Sequence, residues 1–167
     1  MESRSEQSKK YIAEALFLLM KKKDYSKITN KDITDKAGLS HITYYRNFSG
    51  KEEVIKYYLD NITDEFIKNS QINYDPKKFK EYIIILFRHL HDTKEIGFLL
   101  YKANMIHYIK DEFDRIFYNK AQNKKERYNY YFISGGLYNI YYYWIQSGCN
   151  ESPEELSDMF MDFFNIK

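Results

Sequence analysis

Cysteine is almost missing from this chain: Cys149 is the single one in 167 residues. That excludes an internal disulfide framework and a paired-cysteine zinc site, and it makes a reduced, cytoplasmic setting the default expectation. Proline and glycine are also scarce, at 2 and 6. So few chain breakers argue against a turn-rich β fold and for helices. No apolar run is long enough to cross a bilayer; the stretch from Ile83 to Phe87 is far too short. The polar opening, Met1 to Lys10, does not read as a signal peptide. There is no glycine-rich phosphate loop, no HExxH and no Ser/His/Asp spacing. His89 and His91 are two apart, so on a helix they point in different directions and make a poor metal pair. Neither an enzyme, a cofactor nor a metal is expected.

Aromatic residues are abundant. They form 19% of the chain, with 18 Tyr and 12 Phe, and 44% of all residues are hydrophobic. Such a chain can bury a sizeable core. Its charge is uneven. Residues 1–51 hold 11 Lys/Arg against 6 Asp/Glu, and residues 52–167 hold 15 against 18. A basic front end on a slightly acidic body fits a nucleic-acid-binding lobe joined to another module.

The apolar periodicity predicts helices throughout, hence an all-α fold. The first runs from about Ser5 to Lys23, with Ile12, Ala15, Leu16, Leu19 and Met20 on one stripe. Thr29 is a good N-cap for a short second helix, with Asp32 completing a capping box and Ile33 and Ala37 facing inward. Gly38 supplies a left-handed end, and Ser40 caps a third helix from His41 to Phe48. Two short helices around a glycine-containing turn make a helix-turn-helix. A long helix follows from Lys51 to about Asn69, with Val54, Tyr58, Ile62 and Phe66 as its buried line. The stretch Asn73 to Pro76 is read as the linker, giving a DNA-binding domain over 1–50, a connecting helix over 51–69 and a helical domain over 74–167. Further helices are expected over Lys77–His91, Lys94–Ala103, Met105–Lys120 and Lys124–Ser147. The last starts at Pro153, capped by Ser152. The helix ending at Ser147 carries two stripes, Ile133-Leu137-Ile140-Trp144 and Tyr128-Phe132-Asn139-Tyr143, which predicts burial on more than one side.

The residues from Ile12 to Val54 resemble, without a gap, the DNA-binding domain of TetR/AcrR-type regulators. The match is carried by Ile12-x-x-Ala15-Leu16, Asp24-Tyr25, Asp32-Ile33, Ala37-Gly38-Leu39-Ser40, Thr43-Tyr44-Tyr45, Phe48 and Lys51-Glu52. The family often has Gly at the position of Asp24 as well, and the chain departs from the pattern at Asn30, Ile42 and Asn47. The resemblance implies a three-helix DNA-binding domain followed by a helical-bundle ligand and dimerisation domain. It implies a regulator, of repressor type, that binds a palindromic operator in double-stranded DNA as a homodimer. The helix from Ser40 would enter the major groove. Thr43 and Tyr45 would hold phosphates through their hydroxyls, and Lys51 and Thr29 would meet phosphates at two helix starts. His41 and Ile42 are the candidates for base contact, and Arg46 for base or phosphate. Tyr44 is read as core.

The same resemblance implies a small hydrophobic or aromatic effector. Tyr101, Asn104, Tyr108, Phe132, Gly136 and Asn139 are the candidate pocket residues, with Gly135-Gly136 leaving room for a ligand or for close helix packing. The last two helices would build the dimer, with Tyr143, Trp144, Phe160 and Phe163 as contributors. A second reading keeps the helix-turn-helix fold but makes the aromatic C-terminal half an interaction module for a protein partner.

Overall fold

The computed structural model describes residues 3–70, 78–118 and 121–163. Among these residues there are nine α-helices, one short 3₁₀ turn and no strand. The chain divides into two compact units, Met1–Ile62 and Thr63–Lys167. The division falls inside a continuous helix with no glycine or proline to mark it. The expected linker, Asn73 to Pro76, lies outside the described residues.

The first unit begins with α1 (Arg4–Met20), capped by Ser3, whose hydroxyl accepts from the Glu6 amide. Its buried side is Ile12, Ala13, Ala15, Leu16, Phe17 and Met20. Leu19, expected inside, is only half-buried, and the Phe17 ring takes the inner place by stacking on Tyr58 at 4.0 Å. The 3₁₀ turn (Tyr25–Lys27) leads to α2 (Asn30–Ala37). The Thr29–Asp32 capping box closes in both directions, and Gly38 ends the helix at φ 68°. That left-handed angle suits glycine and turns the chain at once into Ser40, whose hydroxyl accepts from the Thr43 amide and starts α3 (His41–Asn47). Ile33 and Tyr44 of these two short helices pack inward with Ile12, Leu16, Phe48 and Ile55. The helix-turn-helix is therefore clamped on a shared apolar core rather than held by local bonds alone.

Helix α4 (Lys51–Ser70) contributes to both units. Its buried residues are Val54, Ile55, Leu59, Thr63 and Phe66, while Tyr58 and Ile62 of the expected line are half-buried. The inner face is thus rotated from a strict every-fourth-residue line, since 3.6 residues per turn drift away from it along five turns.

The second unit holds the end of α4 with α5 (Phe79–Asp92), α6 (Lys94–Lys102), α7 (Tyr108–Tyr118), α8 (Lys124–Ser147) and α9 (Pro153–Phe163). Helix α5 packs on α9 through Phe79, Phe87 and Phe160, with the ion pairs Arg88–Glu154 and Lys80–Asp158 at the edge. Helix α7 packs on α8 through Phe113–Tyr141 and Phe117–Tyr130. Beneath them the Ser134 hydroxyl, fully enclosed, donates to the Asp114 carboxylate. Helix α7 starts later than its apolar pattern suggested. Asn104 adopts φ 60°, and the Asn104 and Met105 amides fold back onto the Tyr101 and Leu100 carbonyls, closing α6 first.

Helix α6 packs against α8 at Gly97. A β-carbon there would collide with the Tyr141 hydroxyl and lie 2.6 Å from Ile145 Cδ1. Tyr141 and Ile145 are both buried, so neither can swing away. Gly97→Ala is expected to destabilise the protein by about 1–3 kcal/mol despite alanine's better helix propensity. The readout is the urea midpoint; an unchanged or raised midpoint would mean that α6 and α8 separate freely.

Candidate nucleic-acid interface

Helix α3 has two sharply different sides. Tyr44 is fully buried; its ring supports Phe48, and its hydroxyl has no partner among the described residues. Burial pushes that phenol up to about 12. The opposite side presents His41, Ile42, Tyr45 and Arg46. Ile42 is 73% exposed and Tyr45 is 61% exposed. A large aliphatic and a large aromatic side chain thus stand outside on a seven-residue helix that already fills the core with its other face.

Of the remaining predicted DNA-contacting residues, several are already engaged. The Ser40 hydroxyl caps α3 and lies 3.0 Å from the Thr43 hydroxyl, so both serve the helix start. Thr29 Oγ1 accepts from the Asp32 amide at 3.1 Å, leaving its hydroxyl proton free of that bond. The Asp32 carboxylate accepts in turn from Lys23 Nζ at 2.7 Å and from the Thr29 amide at 2.8 Å. Those two donors, Lys23 foremost, hold Asp32 well below the usual carboxylate range. His41 Nε2 lies 3.4 Å from the enclosed Thr34 hydroxyl, which itself donates to the Lys31 carbonyl.

Lys51 has a different local role from the one the sequence suggested. Its ammonium donates to the Tyr25 carbonyl at 2.9 Å and to the Ile28 carbonyl at 2.7 Å. It also sits 4.3 Å from the centre of the Tyr25 ring. Burial lowers its pKa. Two of its three N–H bonds therefore tie α4 to the segment before α2, leaving one for a phosphate. Asn47, which departs from the family pattern, is likewise structural. Its amide donates to the Thr43 carbonyl, and its oxygen accepts from the Ser5 hydroxyl at 2.7 Å, joining α1 to the end of α3. Asn30 donates to the Tyr45 hydroxyl at 3.1 Å. Side-chain links of this length in sequence leave no periodic trace, and only the unusual residue at each position hinted at them.

The six candidate pocket residues stand in different settings. Phe132 is 70% exposed and Asn139 is also exposed, because the inner face of α8 is taken by Tyr130, Ile133, Ser134, Leu137, Tyr141, Trp144 and Ile145. Asn104 forms the left-handed end of α6. Tyr101 lies edge-on to Tyr142, and Tyr108 leans on His107. A β-carbon on Gly136 would meet only the Phe160 ring, at 3.8 Å. A crevice of about 180 Å³ lies elsewhere, between Asp114, Phe117, Arg127, Tyr130, Tyr131 and Ser134.

Two of the four residues expected at a dimer interface also need correction. Trp144 and Phe160 are each 1% exposed and close the core of their own unit. Tyr143 and Phe163 stand outside, at 66% and 77% exposure. Consecutive residues on a helix are rotated by about 100°, so Tyr143 and Trp144 cannot share one face.

Comparison with known proteins accords with this architecture. Residues 77–166 match the family described as transcriptional regulator C-terminal region, of TetR type. The HTH-type transcriptional regulator YxbF of Bacillus subtilis (strain 168) is 28% identical over 163 residues, covering 91% of this chain. The chain spans 43% of the length of that relative. Among solved structures, a TetR transcriptional regulator from Streptococcus agalactiae 2603V aligns with a TM-score of 0.67 at 18% identity, covering 96% of this chain and 94% of that one. The dihydroxyacetone kinase operon activator DhaS aligns with a TM-score of 0.64 at 20% identity, covering 93% of each chain. The fatty acid degradation regulator FadR from Bacillus halodurans aligns with a TM-score of 0.59 at 16% identity, covering 98% of this chain and 95% of that one. The matched region takes in more than half of the chain, and with the helix-turn-helix before it the protein belongs to the TetR family of transcriptional regulators.

Proposed function

We propose that this regulator acts by docking α3 in the major groove of a palindromic operator as a homodimer. The observation that carries the reading is the outer face of α3. His41, Ile42, Tyr45 and Arg46 are presented together by a short helix locked through Ser40 and Tyr44. Ile42 suits a thymine methyl, and His41 and Arg46 suit base edges or phosphate. Tyr45, Thr29 and the remaining N–H of Lys51 suit phosphates. One such helix buries little surface, so two half-sites are needed for useful affinity.

Exposed apolar side chains on the last two helices support the homodimer. Phe132 and Tyr143 of α8 and Met159 and Phe163 of α9 are each exposed. On α8, Gly135 has open space where a β-carbon would stand. A glycine inside a helix costs about 1 kcal/mol, and close approach of a partner helix would give it a purpose. The fold is shared by a protein named an operon activator, so it accommodates activation as well as the repression expected from sequence. Control by a small hydrophobic or aromatic effector belongs to the same proposal. The crevice of about 180 Å³ beside α7 and α8 is smaller than a typical ligand site.

Fluorescence-anisotropy titration against the DNA upstream of its own gene, at two salt concentrations, tests this. Binding should favour the palindrome over random sequence and weaken with salt. Tyr45→Phe should weaken palindromic and random duplexes alike, by about tenfold, for loss of a hydrogen bond to a charged group. No preference over random DNA at low salt would sink the proposal and favour the second reading, in which the exposed aromatic face of α8 serves a protein partner.

A further inference from the structure

We infer that Asn30 is a positioning residue for DNA binding: it fixes the Tyr45 hydroxyl so that its proton is available to a phosphate. The inference rests on the proposed docking of α3. Asn30 stands at the first position of α2, and Tyr45 is in the second turn of α3. The Asn30 amide donates to the Tyr45 oxygen at 3.1 Å, across fifteen residues of sequence. The Tyr45 ring is held separately by an edge contact with the buried Tyr44, at 5.4 Å between ring centres and 84° between planes. One side chain therefore locates the ring and the other locates its tip.

The direction of the hydrogen bond matters. A phenol has one proton to give and an oxygen that can accept. Here the oxygen is occupied by an amide N–H, and the phenol O–H makes no hydrogen bond among the described residues. The proton is thus left for an acceptor outside the protein, on a side chain that is 61% exposed. An accepted hydrogen bond also polarises the phenol and makes it a better donor. Without Asn30 the tip would be free to rotate, and that freedom would be lost on binding, weakening the contact.

A double-mutant cycle on the full chain tests the assignment, using a random-sequence duplex at low salt because phosphate contacts do not depend on sequence. Asn30→Ala should weaken binding about threefold to tenfold in the wild-type background and hardly at all in a Tyr45→Phe background. Asn30→Asp should leave thermal stability unchanged or raise it, since a carboxylate suits a helix N-terminus. Yet it should bind DNA more weakly than Asn30→Ala, because the carboxylate takes the Tyr45 proton for itself. If the wild-type chain binds no duplex, the docking proposal falls and this inference with it. If the chain binds and Tyr45→Phe weakens it, but the Asn30→Ala loss is absent or equal in both backgrounds, the inference alone is overturned. A Tyr45→Phe variant that binds as well as wild type overturns it too.

Discussion

Replacing Phe132 and Tyr143 together with glutamate should yield a folded monomer whose affinity for a palindromic duplex falls by about 10²–10⁴-fold. The size of the effect comes from linkage of the two DNA-reading heads. In the proposed dimer, binding of the second half-site is intramolecular and contributes avidity without new contacts. Both residues are largely exposed within one chain, so neither is needed to close the core. In a two-fold interface each substitution occurs twice, and glutamates set near the axis repel across it. Light scattering should report the mass of one chain, 20.4 kDa, with the helical circular dichroism unchanged. Affinity for an isolated half-site should be nearly preserved, because α3 is untouched. A dimer that persists would show that a different surface joins the copies. A monomer that still binds the palindrome at full strength would remove avidity from the account.

How far the sequence could be read depends on how local each signal is. The Thr29–Asp32 capping box, the Gly38 turn and the Ser40 cap each involve residues within a few positions of one another, and each appears in the structure as its spacing predicts. The exposed face of α3 was legible for the same reason: once Tyr44 points inward, 3.6-residue periodicity puts Ile42 and Arg46 outside, with Tyr45 beside them. Helix α8 was harder. It has apolar or aromatic residues on nearly every side, and composition alone does not say which stripe the rest of the chain covers. Lys51 was hidden differently. Its partners, the Tyr25 and Ile28 carbonyls, are backbone atoms 26 and 23 residues away, and no side-chain pattern announces a carbonyl. Gly97 gave no signal at all, whereas the conspicuous Gly135-Gly136 pair, which does invite attention, has open space or an ordinary contact beside it.

Trp144 carries the second large effect, because a residue that reads as interface is in fact a keystone of its own unit. Its ring is enclosed beside Tyr141 and His91, and its indole N–H donates to the Glu151 carbonyl at 3.1 Å. Its own carbonyl accepts from the Cys149 amide at 2.8 Å, which helps to close α8 at the left-handed Gly148. Trp144→Ala should therefore destabilise the protein by about 3–5 kcal/mol, a large share of the roughly 5–15 kcal/mol that holds a domain together. Tyr143→Ala, one residue earlier, removes a side chain that makes little contact within its own chain. Its effect on the monomer should stay within about 0.5 kcal/mol. Protein concentration separates the two cases. Loss of a core residue lowers the denaturation midpoint by the same amount at every concentration, whereas loss of an interface residue acts through assembly and shifts with concentration. Midpoints measured across a range of protein concentrations should thus fall uniformly for Trp144→Ala and change their concentration dependence for Tyr143→Ala. The reverse pattern would put Trp144 back in the interface and undo the separation of the two faces of α8.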